Sequence, residues 1–143
     1  MADHRRPESV LVVIHTPRLE CLLLQRVLPA GFWQSVTGSL QWGETALDAA
    51  RREVVEETGL DPGGLRDAHV TRRFEINPEW RRKFAPDVHE NVEHAFYLEV
   101  PRPVPVELNP DEHSAYAWVA LDDAIARVWS WTNRAALEVL RRE

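Results

Sequence analysis

The stretch from Thr45 to Gly59 constrains this chain more tightly than any other. Thr45 is a natural N-cap with an acid, Asp48, three residues on, and Gly59 suits the left-handed position just past a helix end. The helix so bracketed, Thr45 to Thr58, carries Leu47, Ala50 and Val54 at i, i+3, i+7, a spacing that predicts a core-facing stripe. Its last turn is anomalous. Glu53, Glu56 and Glu57 share one face, because residues three and four apart are neighbours on a helix. Like charges at that spacing cost about 0.2–0.5 kcal/mol per pair, and these lie at the end where the helix dipole disfavours anions. Asp48–Arg52 and Arg52–Glu56 are i, i+4 pairs that offset part of the repulsion, but one arginine answers one or two of three acids. Spacing alone leaves two readings open, a solvated acidic face or a cluster completed by a divalent cation. Mg²⁺ suits the second, since it takes hard oxygen ligands, keeps several waters and accepts others from phosphates.

Around this helix the chain alternates between strand and helix patterns. Ser9 to His15 and Cys21 to Arg26 are apolar and β-rich, with a turn at Thr16-Pro17-Arg18 between them. Trp33 to Thr37 predicts a short strand, and Ala68 to Ile76, Glu93 to Val100 and Tyr116 to Ala120 predict three more. Between the first two of these, the polar stretch Asn77 to Asn91 is long enough to expect a functional loop. Pro101 to Pro110 contains four prolines and ends the strand before it. Helices are expected at Asp122 to Val128 and in a second segment capped near Ser130 or Thr132 and running through Ala135 to Leu140. This order predicts an α+β architecture, an α/β/α sandwich around a mixed sheet. One domain, residues 1–143, accommodates it.

Composition narrows the function. The lone Cys21 forms no internal disulfide, and no signal peptide or membrane-spanning run is present, so a cytoplasmic protein is expected. A net charge of −6 argues against nucleic acid as a partner. The charge is segregated, with acids crowding positions 44 to 61 and bases at Arg72-Arg73 and Arg81-Arg82-Lys83. Such patches are either two solvated faces or opposite walls of a metal-bridged polyphosphate site.

The wider pattern is more specific. Gly38, five residues, Glu44, seven residues and then Arg52-Glu53-Val54-Val55-Glu56-Glu57-Thr58-Gly59-Leu60 resembles the Nudix box, residues 38–60, at every specified position. The resemblance implies a Nudix fold with a catalytic loop–helix–loop that hydrolyses a phosphoanhydride bond in a small polyphosphate. It implies Mg²⁺, replaceable by Mn²⁺, held by Glu53 and Glu57, with Glu56 ligating or assisting and the Gly38 carbonyl a further ligand. Glu44 and Arg52 would brace the loop against the helix.

Segments outside the box, 32–39, 73–76, 85–88, 112–118 and 130–134, resemble the branch of that family serving folate synthesis. The resemblance runs from about Arg5 to about Leu140. It implies cleavage of dihydroneopterin triphosphate to the monophosphate and diphosphate. It also makes Glu112 a third metal ligand or the general base. Arg5, Arg26, Thr37, Phe74, Glu75, Ile76, Asn77 and Ser130 become substrate contacts, with Trp33 and Trp131 as possible walls. Without the resemblance these would be a loop acid, solvated arginines, strand residues and a helix cap. Residues 77–82 depart from the branch's pattern. A (d)NTP pyrophosphatase or dinucleoside polyphosphate hydrolase would share the same centre and differ at residues 72–90. A nucleotide sensor without turnover would have no need of all three box carboxylates, which this chain retains.

Overall fold

A computed structural model describes residues 4–143; the first three residues of the expected 1–143 domain lie outside it. The strands are β1 (Glu8–His15), β2 (Glu20–Arg26), β3 (Trp33–Gln34), β4 (Val36–Ser39), β5 (Arg66–Glu75), β6 (Glu90–Glu99) and β7 (His113–Ala120). The helices are α1 (Ala46–Thr58), α2 (Leu121–Arg127) and α3 (Trp131–Arg142), with a short 3-10 helix at Pro78–Lys83. Every expected strand and helix is present, with shifted ends. The segment expected as one strand at 33–37 is two, broken at Ser35. The 77–91 stretch holds the 3-10 helix, with Asn77 Oδ1 accepting from the Glu79 N–H.

β1 organises the sheet. It pairs in parallel with β6 along its whole length and antiparallel with β4, and it meets β2 only near His15 and Cys21. β2 instead pairs with β7 and β3, while β5 extends the other edge through β6. The continuous apolar run of β1 follows from this place. Alternate residues point to opposite faces, and both faces are covered, as a parallel central pair requires. Val10, Val12 and Ile14 join Leu22, Val36, Ala50, Val54 and Phe96 under α1. Leu11 and Val13 join Leu23, Tyr97, Ala124, Leu137 and Leu140 under α2 and α3. The molecule is thus an α/β/α sandwich with a mixed sheet, as expected.

α1 begins and ends as its sequence dictates. Thr45 Oγ1 accepts from the Asp48 N–H at 3.1 Å, and Gly59 adopts φ 72° with its N–H donating to Val55 O. Of the expected stripe, Ala50 and Val54 are buried, along with Ala49, Glu53, Glu57 and Thr58, whereas Leu47, in the first turn, is 36% exposed. Asp48 pairs with Arg51 at 3.6 Å rather than with Arg52, which is engaged elsewhere.

α3 is fastened to the β3–β4 break by a buried amide. Asn133 Oδ1 accepts from the Ser35 N–H at 2.8 Å, and Asn133 Nδ2 donates to Ser35 Oγ at 2.9 Å. Among the described residues, no helix is long and apolar enough to cross a membrane. Replacing Asn133 with Ala would leave the buried Ser35 N–H without an acceptor, at a cost of about 1–3 kcal/mol. Urea unfolding of Asn133→Ala should show a lower midpoint with an unchanged slope; an unmoved midpoint would refute this role.

Candidate active site

Of the three acids at the end of α1, Glu56 is on the solvated side and Glu53 and Glu57 are not. Glu53 is 8% exposed and Glu57 only 1%. Their positions follow from helix period, since 49, 53 and 57 stack on the face that α1 presses onto the sheet. β4 makes room for them at Gly38, where a Cβ would overlap the Glu53 carboxylate. Gly38 is therefore required by close approach of a side chain and not by backbone conformation.

Glu57 is the unusual group. Neither carboxylate oxygen has a hydrogen-bond partner among the described residues. Burial first, and the neighbouring Glu53 and Glu112 after it, hold its carboxyl well above the usual range. The nearby His113 Nε2, 3.8 Å from Oε1, gives little relief. Burial pushes that imidazole down to about 4, so it is neutral at physiological pH. Glu112, in the turn before β7, faces the same cluster. Its carboxyl is raised by burial, then by Glu53 and Glu56.

Arg52 braces the other side. Its Nε and Nη2 each donate to Glu44 at 2.9 Å, and Nη2 also reaches Ser39 O at 3.1 Å. Nη1 contacts Glu53 and Glu56. The fork therefore ties the loop carboxylate, the end of β4 and the helix acids together. The Glu44 carboxyl falls below its ordinary value, chiefly through Arg52, and Arg52 itself is raised, chiefly through Glu44. Arg52 answers Glu53 and Glu56. It leaves Glu57 unanswered.

Opposite the acids lies a basic wall. The Arg5 N–H donates to Lys83 O at 2.7 Å, fastening the N-terminal segment to the 3-10 helix. Lys83 loses proton affinity first to Arg5, then to burial, Arg82 and Arg26, so these cations crowd one another. Arg26 stands between the walls. Burial lowers its proton affinity, Glu57 and Glu112 raise it, and Arg5 lowers it. Its Nη1 donates to Gln34 Oε1, and its guanidinium lies 5.7 Å from the Trp80 ring centre. Of the clustered bases expected here, only Lys83 faces this cleft. Arg81 and Arg82 border a smaller hollow beside it, and Arg72 turns inward on β5.

Between the walls is a cleft of about 1390 Å³. All eight expected substrate contacts border it, namely Arg5, Arg26, Thr37, Phe74, Glu75, Ile76, Asn77 and Ser130. Three have structural duties as well. The Thr37 hydroxyl donates to Val10 O, Ser130 Oγ accepts from the Asn133 N–H, and Asn77 caps the 3-10 helix. Gly38, Arg52, Glu53 and Glu112 border it too, whereas Glu44, Glu56 and Glu57 do not line it. Trp131 is on the rim, but Trp33 packs under Arg127 in the core beneath α2 and α3. Sequence reasoning missed Glu93, Asn91 and Trp129, which also line the cleft. Glu93 sits inside an apolar strand pattern, and one acid there carries no periodic signal.

The acids fit a divalent cation. A carboxylate buried with both oxygens free of donors needs a positive partner, and hard oxygen atoms are what Mg²⁺ takes. Among the described residues, no three ligating side chains close around one point as a ready-made cage. Glu53 is turned to Arg52 instead. An ion that keeps waters and shares phosphate oxygens does not require a closed protein cage.

The same arrangement defines a class. A NUDIX domain model matches residues 5–139, and the chain belongs to the Nudix hydrolase family. The chain is 42% identical over 140 residues to the dihydroneopterin triphosphate diphosphatase of Escherichia coli (strain K12), covering 94% of this chain and 92% of that protein. It is 37% identical to the Haemophilus influenzae protein of the same name, over 96% and 89%. The solved structure of the E. coli dihydroneopterin triphosphate pyrophosphohydrolase superposes with a TM-score of 0.88, covering 95% of both chains.

The Glu57 carboxyl has a definite consequence for stability. Because its folded proton affinity is raised, the folded state is favoured fully below the ordinary carboxyl value of 4.5. That advantage is lost as pH rises from there through the raised folded value. In metal-free protein, Glu57→Gln should therefore raise Tm at mildly alkaline pH and have little effect at pH near 4. Adding MgCl₂ should raise the Tm of the parent more than that of the variant. A variant less stable than the parent at alkaline pH would contradict the account. Gly38→Ala should keep a folded chain but displace Glu53. We expect kcat/KM to fall about 10²-fold or more, with near-native turnover the contrary result.

Proposed function

We propose that this chain is a Mg²⁺-dependent pyrophosphohydrolase that converts dihydroneopterin triphosphate and water into dihydroneopterin monophosphate and diphosphate, a step of folate synthesis in the cytoplasm. One observation carries the catalytic part: Glu57 is buried with both oxygens unpartnered beside Glu53 and Glu112, across a cleft from Arg5, Arg26 and Lys83. The substrate part is supported by similarity to proteins of that activity over nearly the whole chain.

Glu53 and Glu57 would hold the cation, with Glu56 and the Gly38 carbonyl beside them, and of the two roles open to Glu112 we assign that of the base. Bound there, Mg²⁺ neutralises phosphate oxygens and makes water a better nucleophile at neutral pH. The chain's own residues do the rest. Arg26, Arg5 and Lys83 take the negative charge of the polyphosphate and fix its direction along the cleft. Arg52 and Glu44 hold the loop and helix in register so that the acids keep their spacing. A Glu112 carboxylate oxygen, whose proton affinity is raised by burial and by its acidic neighbours, takes the proton of the attacking water. The linkage broken is the anhydride P–O–P between the α and β phosphates. The water oxygen bonds to one phosphorus, the P–O bond from that phosphorus to the bridging oxygen breaks, and the bridging oxygen leaves with the other product, giving the monophosphate and diphosphate.

The test compares kcat/KM for dihydroneopterin triphosphate, dATP, 8-oxo-dGTP and a dinucleoside tetraphosphate. Dihydroneopterin triphosphate should be preferred, with diphosphate as the released product. Preference for any of the others would overturn the substrate and leave the family intact. Glu57→Gln should lower turnover by several kcal/mol of barrier, on the order of 10²-fold or more, and EDTA should abolish it reversibly. Turnover that survives both would remove the metal from the account.

A further inference from the structure

Away from the carboxylate cluster, Glu93 of β6 also faces the cleft. It is 5% exposed, and its Oε1 is buried with no hydrogen-bond partner. Burial pushes its carboxyl up to about 7, against the opposing pull of the Thr132 hydroxyl and Arg72. Arg72, its cross-strand neighbour on β5, leaves its own Nη1 unpartnered as well. The fold thus keeps an acid in its interior with the Thr132 hydroxyl as a donor but leaves Oε1 without one. A buried polar group left in that condition calls for an explanation, and a ligand that brings the donors provides one.

Its position separates it from the reaction centre. Glu93 and Ser39 are both level with Ser9 of β1, on its two sides. Glu93 therefore lies two strand spacings, about 10 Å, from the end of β4 that carries Gly38. That is the span of a fused bicyclic ring and a short side chain leading to a phosphate. The surroundings suit a flat heterocycle. Phe74 stands opposite Asn91 on the neighbouring strand and borders the cleft together with Leu11. Ser9 Oγ accepts from Asn91 Nδ2 at 2.8 Å, so the Ser9 hydroxyl hydrogen remains to be donated.

We infer that Glu93 is the specificity-determining residue for the heterocycle, its carboxylate accepting the 2-amino group and the adjacent ring N–H of a 2-amino-4-oxopyrimidine edge while the Ser9 hydroxyl donates to the 4-oxo group. The donor, donor, acceptor order of that edge matches acceptor, acceptor, donor on the protein. Adenine presents an acceptor nitrogen where the carboxylate needs an N–H, so two acceptors would face each other. Pterin and guanine share the matching edge. The inference rests on the pyrophosphohydrolase reading above and adds to it which chemical group is recognised, and by what.

Glu93→Gln is isosteric and replaces one acceptor with a donor. The ratio of kcat/KM for dihydroneopterin triphosphate over dATP should fall about 10²-fold or more, mainly through KM. Quenching of tryptophan fluorescence by phosphate-free dihydroneopterin, measured without metal, should weaken to match. Ser9→Ala should lower the same ratio by roughly tenfold, which keeps the inference testable if the first variant does not fold. A parallel fall in the dGTP to dATP ratio would show that either ring reaches Glu93. An unchanged dGTP ratio would assign the site to pterin alone. An unchanged pterin ratio in both variants, or a loss in kcat with KM and dihydroneopterin binding unmoved, overturns the inference. Failure of the underlying reading would appear differently, as a parent enzyme that does not prefer dihydroneopterin triphosphate at all.

Discussion

When α1 packs on the sheet, it carries its acids in with it. Burying Ala49, Ala50 and Val54 obliges Glu53 and Glu57 to enter as well, because a four-residue step returns to the same helix face. The apolar contact stabilises the helix–sheet joint, and the two carboxylates oppose it. Glu53 is compensated by Arg52 and by the space Gly38 leaves. Glu57 has no hydrogen-bond partner among the described residues, and the Thr37 backbone and Arg26 ease its burial only in part. The candidate site is a local deficit of positive charge, built where the surrounding packing is firm enough to hold it.

The remainder of the cleft is arranged around that deficit. Arg5, Arg26 and Lys83 come from the N-terminal segment, the end of β2 and the 3-10 helix. Arg5 lowers the proton affinity of Lys83 and, after burial, that of Arg26. Backbone hydrogen bonds from Arg5 to Lys83 and from Val27 to Glu112 fix the segments that carry these groups. A cleft stays open between the two walls. Glu93 repeats the principle on β6, where a second buried acid lining the cleft leaves Oε1 without a partner.

How far the sequence could be followed depended on the range of the interaction. The cap at Thr45, the left-handed Gly59 and the stacking of Glu53 with Glu57 lie within one helix, and their geometry is set by its period. The Arg52–Glu44 brace was legible because both residues belong to one motif with fixed spacing. Expectation failed where two partners competed at short range. Arg52 leaves Asp48 for Glu44 and the helix acids, so Asp48 turns to Arg51. Leu47 has the right phase for the core yet lies in the first turn and remains partly exposed. Arg72 and Lys83 looked alike as members of basic runs, but β5 turns one inward and the 3-10 helix presents the other to the cleft.

The sequence by itself determined the acidic helix, its caps and the stacking of Glu53 with Glu57, because each follows from separations of a few residues along a regular backbone. Tertiary structure alone decided which bases oppose those acids, that Gly38 makes room for Glu53, that Glu57 has no hydrogen-bond partner among the described residues, and that Glu93 lines the same cleft. Those facts arise from pairings between strands far apart in the chain, and from burial. The charge state and hydrogen-bonding deficit of an acid depend on what surrounds it in space, and a linear pattern of residue types does not encode that directly.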